Sequence, residues 1–177
     1  MTTVPLPVDT EKLRIAPLDG AKMLDGFSCG EHEIDRNIRK CCEWHETYSR
    51  RVFCAFLGTE ELACGYYCIS ISASESKYLD QKMVRDSGGQ AYVPFIYLNY
   101  LAVGLDYQNN GIGKILLMHA LERCSYVIKN IGIYGVALNA LNDRAAGLYD
   151  GFGFREFGKN KYPFMVLPAR TVLDIFP

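Results

Sequence analysis

The turn Gln108-Asn109-Asn110-Gly111-Ile112-Gly113 joins an apolar strand-like segment to an apolar helix-like segment. This order places free backbone N–H groups and the positive end of a helix dipole at one point, which suits an anion. Glycines at 111 and 113 let the backbone approach a diphosphate closely because they carry no β-carbon. A tight strand-to-helix connection without a ligand uses the same glycines, so the turn alone leaves both interpretations open.

Two common nucleotide-binding patterns do not fit this turn. A Walker A loop requires glycine at position 108 and serine or threonine at position 115, where the chain has Gln108 and Ile115. A dinucleotide fingerprint requires a third glycine or alanine at position 116, where Leu116 stands. The anion is therefore not expected to belong to ATP or to a dinucleotide.

A second motif lies downstream, and the two together resemble the GNAT acyltransferase family. The turn matches that family's Gln/Arg-x-x-Gly-x-Gly/Ala signature after a central strand. The downstream residues match its Asn-x-x-Ala-x-x-Leu-Tyr segment and Gly-Phe ending, with Asn142, Ala145, Leu148, Tyr149 and Gly151-Phe152-Gly153-Phe154. The resemblance spans residues 50–168, and the pair of motifs is more specific than either one.

The resemblance implies acetyl-coenzyme A as the cofactor, with its diphosphate on the turn amides and its pantetheine arm along the central strand. Leu101 and Val103 would offer backbone hydrogen bonds to that arm, and amides near Val103 would hold the thioester carbonyl. The implied cofactor-binding residues are Leu101, Val103, Gln108, Asn109, Asn110, Gly111, Ile112, Gly113, Lys114 and Asn142.

Tyr149 stands at the family position of a catalytic acid. A phenol with a pKa of about 10 beside the sulfur can protonate a departing thiolate, whose parent thiol has a pKa near 8.5. Tyr149 also fits a core aromatic on a short helix, and Asn142 fits a helix cap as well as a cofactor ligand. No covalent enzyme intermediate is expected.

The central strand, Pro94–Val103, contains no aspartate or glutamate that could serve as a general base. An α-amino group with a pKa near 7.7 to 8.0 needs less help to lose its proton than a lysine with a pKa near 10.4. An easily deprotonated acceptor amine is therefore expected. His32, His45 and His119 lie in helical patterns and are interpreted as surface or packing residues.

Several segments resemble the tRNA-acetylating toxins of bacterial toxin-antitoxin pairs, which are GNAT enzymes. These are Phe27-Ser28-Cys29-Gly30, Ser49-Arg50-Arg51-Val52-Phe53, Gly65-Tyr66-Tyr67-Cys68-Ile69-Ser70 and Leu101-Ala102-Val103. The resemblance implies the α-amino group of an aminoacyl-tRNA as acceptor and an antitoxin protein as partner. The chain departs from that subgroup at Tyr100, where arginine is frequent, and at Gly104, where aspartate is usual.

Arg36, Arg39 and Lys40, with Arg50 nearby, form the predicted substrate-binding face, which would contact RNA phosphates. A solvated helix surface explains the same charges. Two other functions remain open. One is a GNAT enzyme acting on a small amine or a protein N-terminus, and the other is a weakly catalytic acetyl-CoA-binding module that works through a protein partner.

The remaining elements predict an α/β fold with a mixed sheet. Strands are expected at Leu13–Leu18, Arg51–Leu57, Leu62–Ser72, Pro94–Val103, Ile131–Leu138 and from Phe154 onward; helices are expected from a Ser28/Glu31 capping box to His45, from Gly111, and over Asn142–Tyr149. We expect one GNAT-like domain over residues 1–177, an antiparallel meander leading to a splayed central pair of parallel strands flanked by helices. A mobile insertion is expected at residues 73–91.

Composition sets the broad class. The chain has 177 residues and a net charge of −1, with neither a signal peptide nor a membrane-length apolar run, so we expect a cytoplasmic protein without membrane association. Its seven cysteines include no Cys-x-x-Cys pair. Cys64 and Cys68, four apart on one face of a predicted strand, suit a reduced core better than a metal pair, and no metal site is predicted. We also expect a homodimer.

Overall fold

The computed structural model describes residues 9–157 and 162–177. Within them, seven strands form one mixed sheet in the order β1-β2-β3-β4-β5-β7-β6. The strands are β1 (Leu13–Pro17), β2 (Arg51–Leu57), β3 (Gly65–Glu75), β4 (Tyr92–Val103), β5 (Gly135–Asn139), β6 (Arg155–Phe157) and β7 (Phe164–Pro168). β4 and β5 are parallel, which confirms the predicted mixed sheet with a central parallel pair.

Six α-helices accompany these strands in the described residues. They are α1 (His32–Asp35), α2 (Ile38–Glu46), α3 (Gln81–Asp86), α4 (Ile112–Ile128), α5 (Asp143–Gly151) and α6 (Ala169–Ile175). The chain packs into two compact units. The first unit contains the described residues up to Ile69 together with Tyr100–His119, and the second contains the described parts of Ser70–Asn99 and Ala120–Pro177.

The antiparallel meander of the first unit is confirmed. β2 pairs with β1 and with β3 in antiparallel register, and Phe53 lies opposite Tyr67. On one face of this hairpin the Phe53 and Tyr67 rings stack at 5.0 Å, and the Tyr67 hydroxyl bonds His119 Nδ1 of α4 at 2.8 Å. On the other face Val52 and Cys54 join the buried cluster that includes residues of α2. Helices therefore cover both faces of β2 and β3.

The predicted long helix from Ser28 is wrong at its start. The chain forms two shorter helices, and the Ser28/Glu31 capping box is absent, since α1 begins at His32 with Glu31 rather than Ser28 as its N-cap. The Asp35 carboxylate instead accepts hydrogen bonds from Ser28 Oγ at 2.7 Å and from the Cys29 backbone N–H at 2.9 Å. A carboxylate at the end of α1 thus orders the loop that precedes the helix.

Three other predicted boundaries also change. β3 runs on to Glu75, so the first residues of the predicted insertion belong to a strand. Ile131 does not begin β5, because its N–H bonds Val127 O at the end of α4 and its side chain is 59% exposed. The apolar tail after β7 is not extended but forms α6, which buries Val172.

The second unit has its own buried cluster, built from Met83 of α3, Val93 and Phe95 of β4, Ala137 of β5 and Val166 of β7. Met83 is 1% exposed, so α3 is anchored in the core. The segment 73–91, predicted as an insertion, thus contains a helix with a buried residue.

All seven cysteines are free and buried. Burial raises the pKa of Cys54 and of Cys124 to about 12. Cys64 precedes β3 rather than lying within it, and its thiol donates to Ala55 O at 3.3 Å. Its geometry is that of a core thiol, as the sequence suggested.

The first turns of α4 pass very close to the sheet at Gly65. A β-carbon there would lie 2.9 Å from Leu116 Cδ1 and 3.0 Å from the Ala102 backbone oxygen. A residue without a side chain is therefore required for this helix to pack on β3 and β4.

We expect Gly65→Ala to lower the free energy of unfolding by about 1–3 kcal/mol, because the added methyl group overpacks the contact with α4. Urea denaturation followed by circular dichroism measures this change. Gly132→Ala is the matched control, since a β-carbon at that position meets nothing within 4 Å. Equal stabilities of the two variants would contradict the close-packing argument.

Candidate active site

The connection from β4 to α4 is held against the first unit by backbone hydrogen bonds. Gly104 N–H donates to Cys64 O at 2.9 Å, and Leu105 N–H donates to Ser28 O at 2.9 Å. Gly104 is buried, and a β-carbon on it would lie 3.3 Å from the Tyr107 ring and 3.4 Å from Cys64 O. A larger residue such as the aspartate usual in the toxin subgroup would not fit this packing without a shift.

Gln108, the first residue of the phosphate-binding signature, uses its side-chain NH₂ group inside the protein. Nε2 donates to Cys29 O at 2.9 Å and to Val103 O at 3.1 Å. Both donors of this group thus tie the turn to the loop before α1 and to the end of β4. Gln108 is therefore an anchor of the turn, and its amide NH₂ is not directed at a ligand.

The backbone of the turn is left-handed at two positions, Asn109 with φ 66° and Gly111 with φ 81°. The Gly111 carbonyl then accepts bonds from Lys114 N at 3.0 Å and Ile115 N at 3.3 Å, which starts α4. A β-carbon on Gly111 would meet no atom within 4 Å, so the space in front of it is open. An open left-handed turn at the start of a 17-residue helix has the features that bind a diphosphate.

The Asn110 side chain shapes the same turn. Its Nδ2 donates to Tyr107 O at 3.3 Å and to Gln108 O at 3.1 Å. Lys114 is exposed on the first turn of α4. Among the predicted turn residues, the side chains of Gln108 and Asn110 stabilise the conformation of the turn. The backbone amides that begin α4 are the groups still predicted to contact a diphosphate.

Within the second unit, β4 and β5 pair over three residues only, with Phe95 opposite Gly135 and Tyr97 opposite Ala137. β5 nevertheless continues to Asn139 and β4 continues to Val103. Parallel strands that stop pairing leave backbone N–H and C=O groups that need other partners. The predicted splay of the central pair is thus present, and Leu101 and Val103 lie beyond it on β4.

Asn142 and Tyr149 lie near opposite ends of α5, Asn142 as its N-cap and Tyr149 in its last turn. Asn142 caps the helix, since its side-chain oxygen accepts a hydrogen bond from Ala145 N at 2.9 Å. Tyr149 is 7% exposed and packs on Phe154 with ring centroids 5.7 Å apart. Burial raises the pKa of the Tyr149 phenol. Asn142 therefore acts as a helix cap and Tyr149 as a core aromatic residue. Their roles toward the cofactor stay predictions.

Polar side chains on the strands of the second unit form hydrogen bonds with one another, and the sequence analysis did not predict these bonds. The Tyr97 hydroxyl donates to Asn139 Oδ1, and Asn139 Nδ2 donates to Tyr162 O at 3.0 Å. Ser70 Oγ donates to Asn99 Oδ1 at 2.9 Å. Burial raises the pKa of Tyr97, so this phenol stays protonated at neutral pH. None of these four side chains is a carboxylate.

The basic residues predicted to bind substrate do not share one helix face. Arg36, Arg39 and Lys40 are exposed around the start of α2, and Arg36 lies in the break between α1 and α2. Arg50 follows α2, and its guanidinium carbon lies 3.7 Å from the centre of the Trp44 ring. Arg50 is thus held by an aromatic face, while the other three project into solvent.

A cleft of about 800 Å³ lies in the second unit and contains none of the predicted site residues. Lys82 and Asp86 of α3, Tyr134, Arg170 and Asp174 are among the residues of its wall. Lys82 and Asp86 form an ion pair at 2.6 Å. The wall therefore carries both signs of charge.

Comparison with known proteins identifies the class. Residues 49–156 match the family described as Acetyltransferase (GNAT) domain. A tyrosine-to-phenylalanine mutant of KacT superposes with a TM-score of 0.83 at 25% identity, covering 93% of this chain and 99% of that one. The structure of AtaTR bound with AcCoA has a TM-score of 0.80 at 24% identity, covering 94% and 99%. AtaT complexed with acetyl-methionyl-tRNAfMet has a TM-score of 0.79 at 24% identity, covering 93% and 99%.

The chain belongs to the GNAT acetyltransferase family. It is an acetyl-CoA-dependent N-acetyltransferase, as the two motifs predicted. Among the described residues, no helix combines the length and the apolar character needed to cross a membrane.

We expect Gln108→Ala to weaken acetyl-CoA binding about 5- to 30-fold, because two backbone carbonyls lose their donor and the turn loses its anchor. Isothermal titration calorimetry measures the dissociation constant. Gln81→Ala is the matched control, since Gln81 is exposed at the start of α3 in the second unit. If Gln108→Ala bound acetyl-CoA as tightly as this control, the anchoring role would be wrong.

Proposed function

We propose that this enzyme acetylates the α-amino group of an aminoacyl-tRNA and thereby blocks translation. The observation that carries the proposal is the chemistry of the strands in the second unit. Ser70, Tyr97, Asn99 and Asn139 are engaged in hydrogen bonds and none can act as a strong base. An acceptor amine with a low pKa, such as that of an aminoacyl ester, suits an enzyme without a carboxylate on β4.

The similar solved structures support this acceptor. AtaT has been solved with acetyl-methionyl-tRNAfMet, which carries an acetyl group on a charged tRNA. AtaT has also been solved with AcCoA. The fold of these structures matches nearly all of this chain. The toxin-like segments around Cys29, Arg50 and Val103 lie in the first unit.

We propose roles for the cofactor residues that fit their positions in the fold. Acetyl-CoA supplies an acetyl group activated as a thioester. The amides of Ile112, Gly113 and Lys114 at the start of α4 would hold its diphosphate, with Gly111 leaving the approach open. The main chain of Leu101 and Val103 would bind the pantetheine arm along β4, and an amide near Val103 would stabilise negative charge on the acetyl oxygen.

Tyr149 would supply the proton that the departing sulfur takes up. As the acetyl group passes from the thioester sulfur to the amine nitrogen, the phenol of Tyr149 would give its proton to the departing thiolate. The amine would lose its own proton to solvent, and the Tyr149 phenolate would take one up from solvent. Because burial raises the pKa of Tyr149, the phenol keeps this proton at neutral pH.

The acceptor is tested in a cell-free translation system with acetyl-CoA labelled in the acetyl group. We expect the label to enter the aminoacyl-tRNA fraction on the α-amino group, with a parallel fall in protein synthesis. A tRNA pool without label and undiminished translation would refute the proposal. Steady acetylation of a small amine or of protein N-termini in the same system would then support the alternative acceptors.

We expect Tyr149→Phe to lower kcat about 100-fold or more while acetyl-CoA binding persists, because the variant lacks the transferable proton but keeps the ring. Stopped assays of acetyl transfer and calorimetry separate the two effects. Tyr126→Phe is the matched control, since Tyr126 is 54% exposed on α4. Undiminished turnover by Tyr149→Phe would exclude Tyr149 as the acid.

We further propose that an antitoxin protein inhibits this enzyme by direct binding. The structure of an AtaT mutant bound to the C-terminus of the antitoxin AtaR, at 24% identity and a TM-score of 0.77, supports a partner of this kind. The expected homodimer stays a prediction, which light scattering on the purified protein would examine.

A further inference from the structure

The segment from Arg36 to Arg51 is locally basic in a nearly neutral protein. It contains five basic residues and two glutamates, whereas the whole chain has a net charge of −1. The ion pairs of the described residues are formed by Lys12, Lys77, Lys82 and Arg155, so none of these five cations contributes to one. The five cations outnumber the two carboxylates of Glu43 and Glu46, so positive charge is in excess in this segment.

Tyr48 occupies a strained position in this segment. It follows the C-terminal end of α2 with a φ of 59°, a left-handed conformation in which glycine or asparagine is usual. Its side chain is 79% exposed, so burial does not account for a large aromatic residue at this point. Left-handed non-glycine residues cluster at functional sites, where the strain is retained for another purpose.

Two arginines lie over aromatic rings around Tyr48. The Arg51 guanidinium carbon is 5.0 Å from the centre of the Tyr48 ring, and that of Arg50 is 3.7 Å from the centre of the Trp44 ring. Trp44 in turn stacks on Tyr100, with ring centroids 6.2 Å apart and planes inclined by 11°. The guanidinium groups are thus held in place before any ligand arrives, which lowers the entropy lost on binding.

We propose that the arginine-aromatic surface, defined as Trp44, Tyr48, Arg50, Arg51 and Tyr100, binds the single-stranded 3′ end of the RNA acceptor. This inference rests on the proposed function and deepens it. All five residues belong to the first unit. Tyr48 is the exposed ring of this surface, while Trp44 and Tyr100 are half-buried against the core. An exposed aromatic ring among cations has the features that bind unpaired nucleotides, with a base on the ring and phosphates on the cations.

The exposed Tyr48 ring provides a face for one base. Arg51 covers one side of the ring, and the high exposure of the side chain leaves contact area for a ligand. One N–H of Arg51 bonds His45 O at 3.4 Å, and the Arg50 side chain bonds Tyr100. A guanidinium has five N–H donors, so each arginine keeps further donors that suit phosphate oxygens. The basic residues Arg36, Arg39 and Lys40 extend the positive charge along the same segment toward the paired part of the acceptor.

The test compares steady-state kinetics of Tyr48 variants on an aminoacyl-tRNA and on the RNA-free amide of the same amino acid. We expect Tyr48→Ala to raise KM for the aminoacyl-tRNA about tenfold, with kcat retained and with unchanged kinetics on the amide. Tyr48→Phe keeps the ring and should resemble the wild type.

Tyr78→Ala is the matched control, because Tyr78 is also exposed, at 75%, and also lies beside a cation, Lys77, at 4.8 Å. Tyr78 lies in the second unit, so Tyr78→Ala should leave KM for the aminoacyl-tRNA unchanged. A wild-type enzyme that acetylates aminoacyl-tRNA, together with Tyr48→Ala at wild-type KM, would overturn this inference and leave the proposed function intact. A wild-type enzyme without activity on aminoacyl-tRNA would overturn both.

Two further measurements separate recognition from folding. Filter binding should show that the wild type binds deacylated tRNA more tightly than tRNA trimmed of its unpaired 3′ nucleotides, and that Tyr48→Ala loses this difference. Tyr48→Gly should keep or raise the urea midpoint, because glycine relieves the left-handed strain, and yet raise KM as Tyr48→Ala does. An unchanged preference for the untrimmed tRNA in Tyr48→Ala would contradict base stacking on this ring.

Discussion

The backbone of β4 has more hydrogen-bonding groups than its parallel neighbour can satisfy. β4 is twelve residues long, yet β5 pairs with it over three residues. Backbone N–H and C=O groups that leave a ladder need another partner, and an extended amide-containing chain supplies one of the right geometry. The same incompleteness that would weaken an ordinary sheet thus suits the binding of the pantetheine arm that we propose for β4.

The turn after β4 depends on close packing as well as on its own side chains. A β-carbon at Gly65 would lie 2.9 Å from Leu116, and one at Gly104 would lie 3.3 Å from Tyr107, so both positions are tightly packed. Gln108 then secures the turn to Cys29 and Val103. These contacts hold the amides that begin α4 in a fixed arrangement, so the diphosphate site that we propose there would spend little binding energy on ordering itself.

Sequence patterns predicted correctly those features that depend on contacts between residues close in sequence. Asn142 caps α5 through a bond three residues away, and the apolar segment Arg51–Leu57 forms β2 with the predicted bounds. Contacts between distant residues could not be predicted in this way. The partner of Gln108 is 79 residues away, and Asp35 takes the role expected of Glu31 because its carboxylate reaches back to Ser28 and Cys29.

The same limit applies to the substrate side. The basic residues were visible in the sequence, but the stacking of Arg50 on Trp44, and of Trp44 on Tyr100 from β4, depends on how α2 packs on the sheet. Sequence could have drawn attention to Tyr48 only as an aromatic residue between two polar ones. Its left-handed backbone is a property of the folded helix end.

The seven buried thiols link folding to the redox state of the surroundings. In the folded protein they are shielded, and the raised pKa of Cys54 and Cys124 keeps them in the unreactive thiol form. An unfolded chain would expose all seven thiols at once, with ordinary pKa values. These thiols could then form disulfide bonds that the folded protein does not contain. Under oxidising conditions unfolding would therefore become a one-way process, so the lifetime of the enzyme would be set by its unfolding rate instead of by its equilibrium stability.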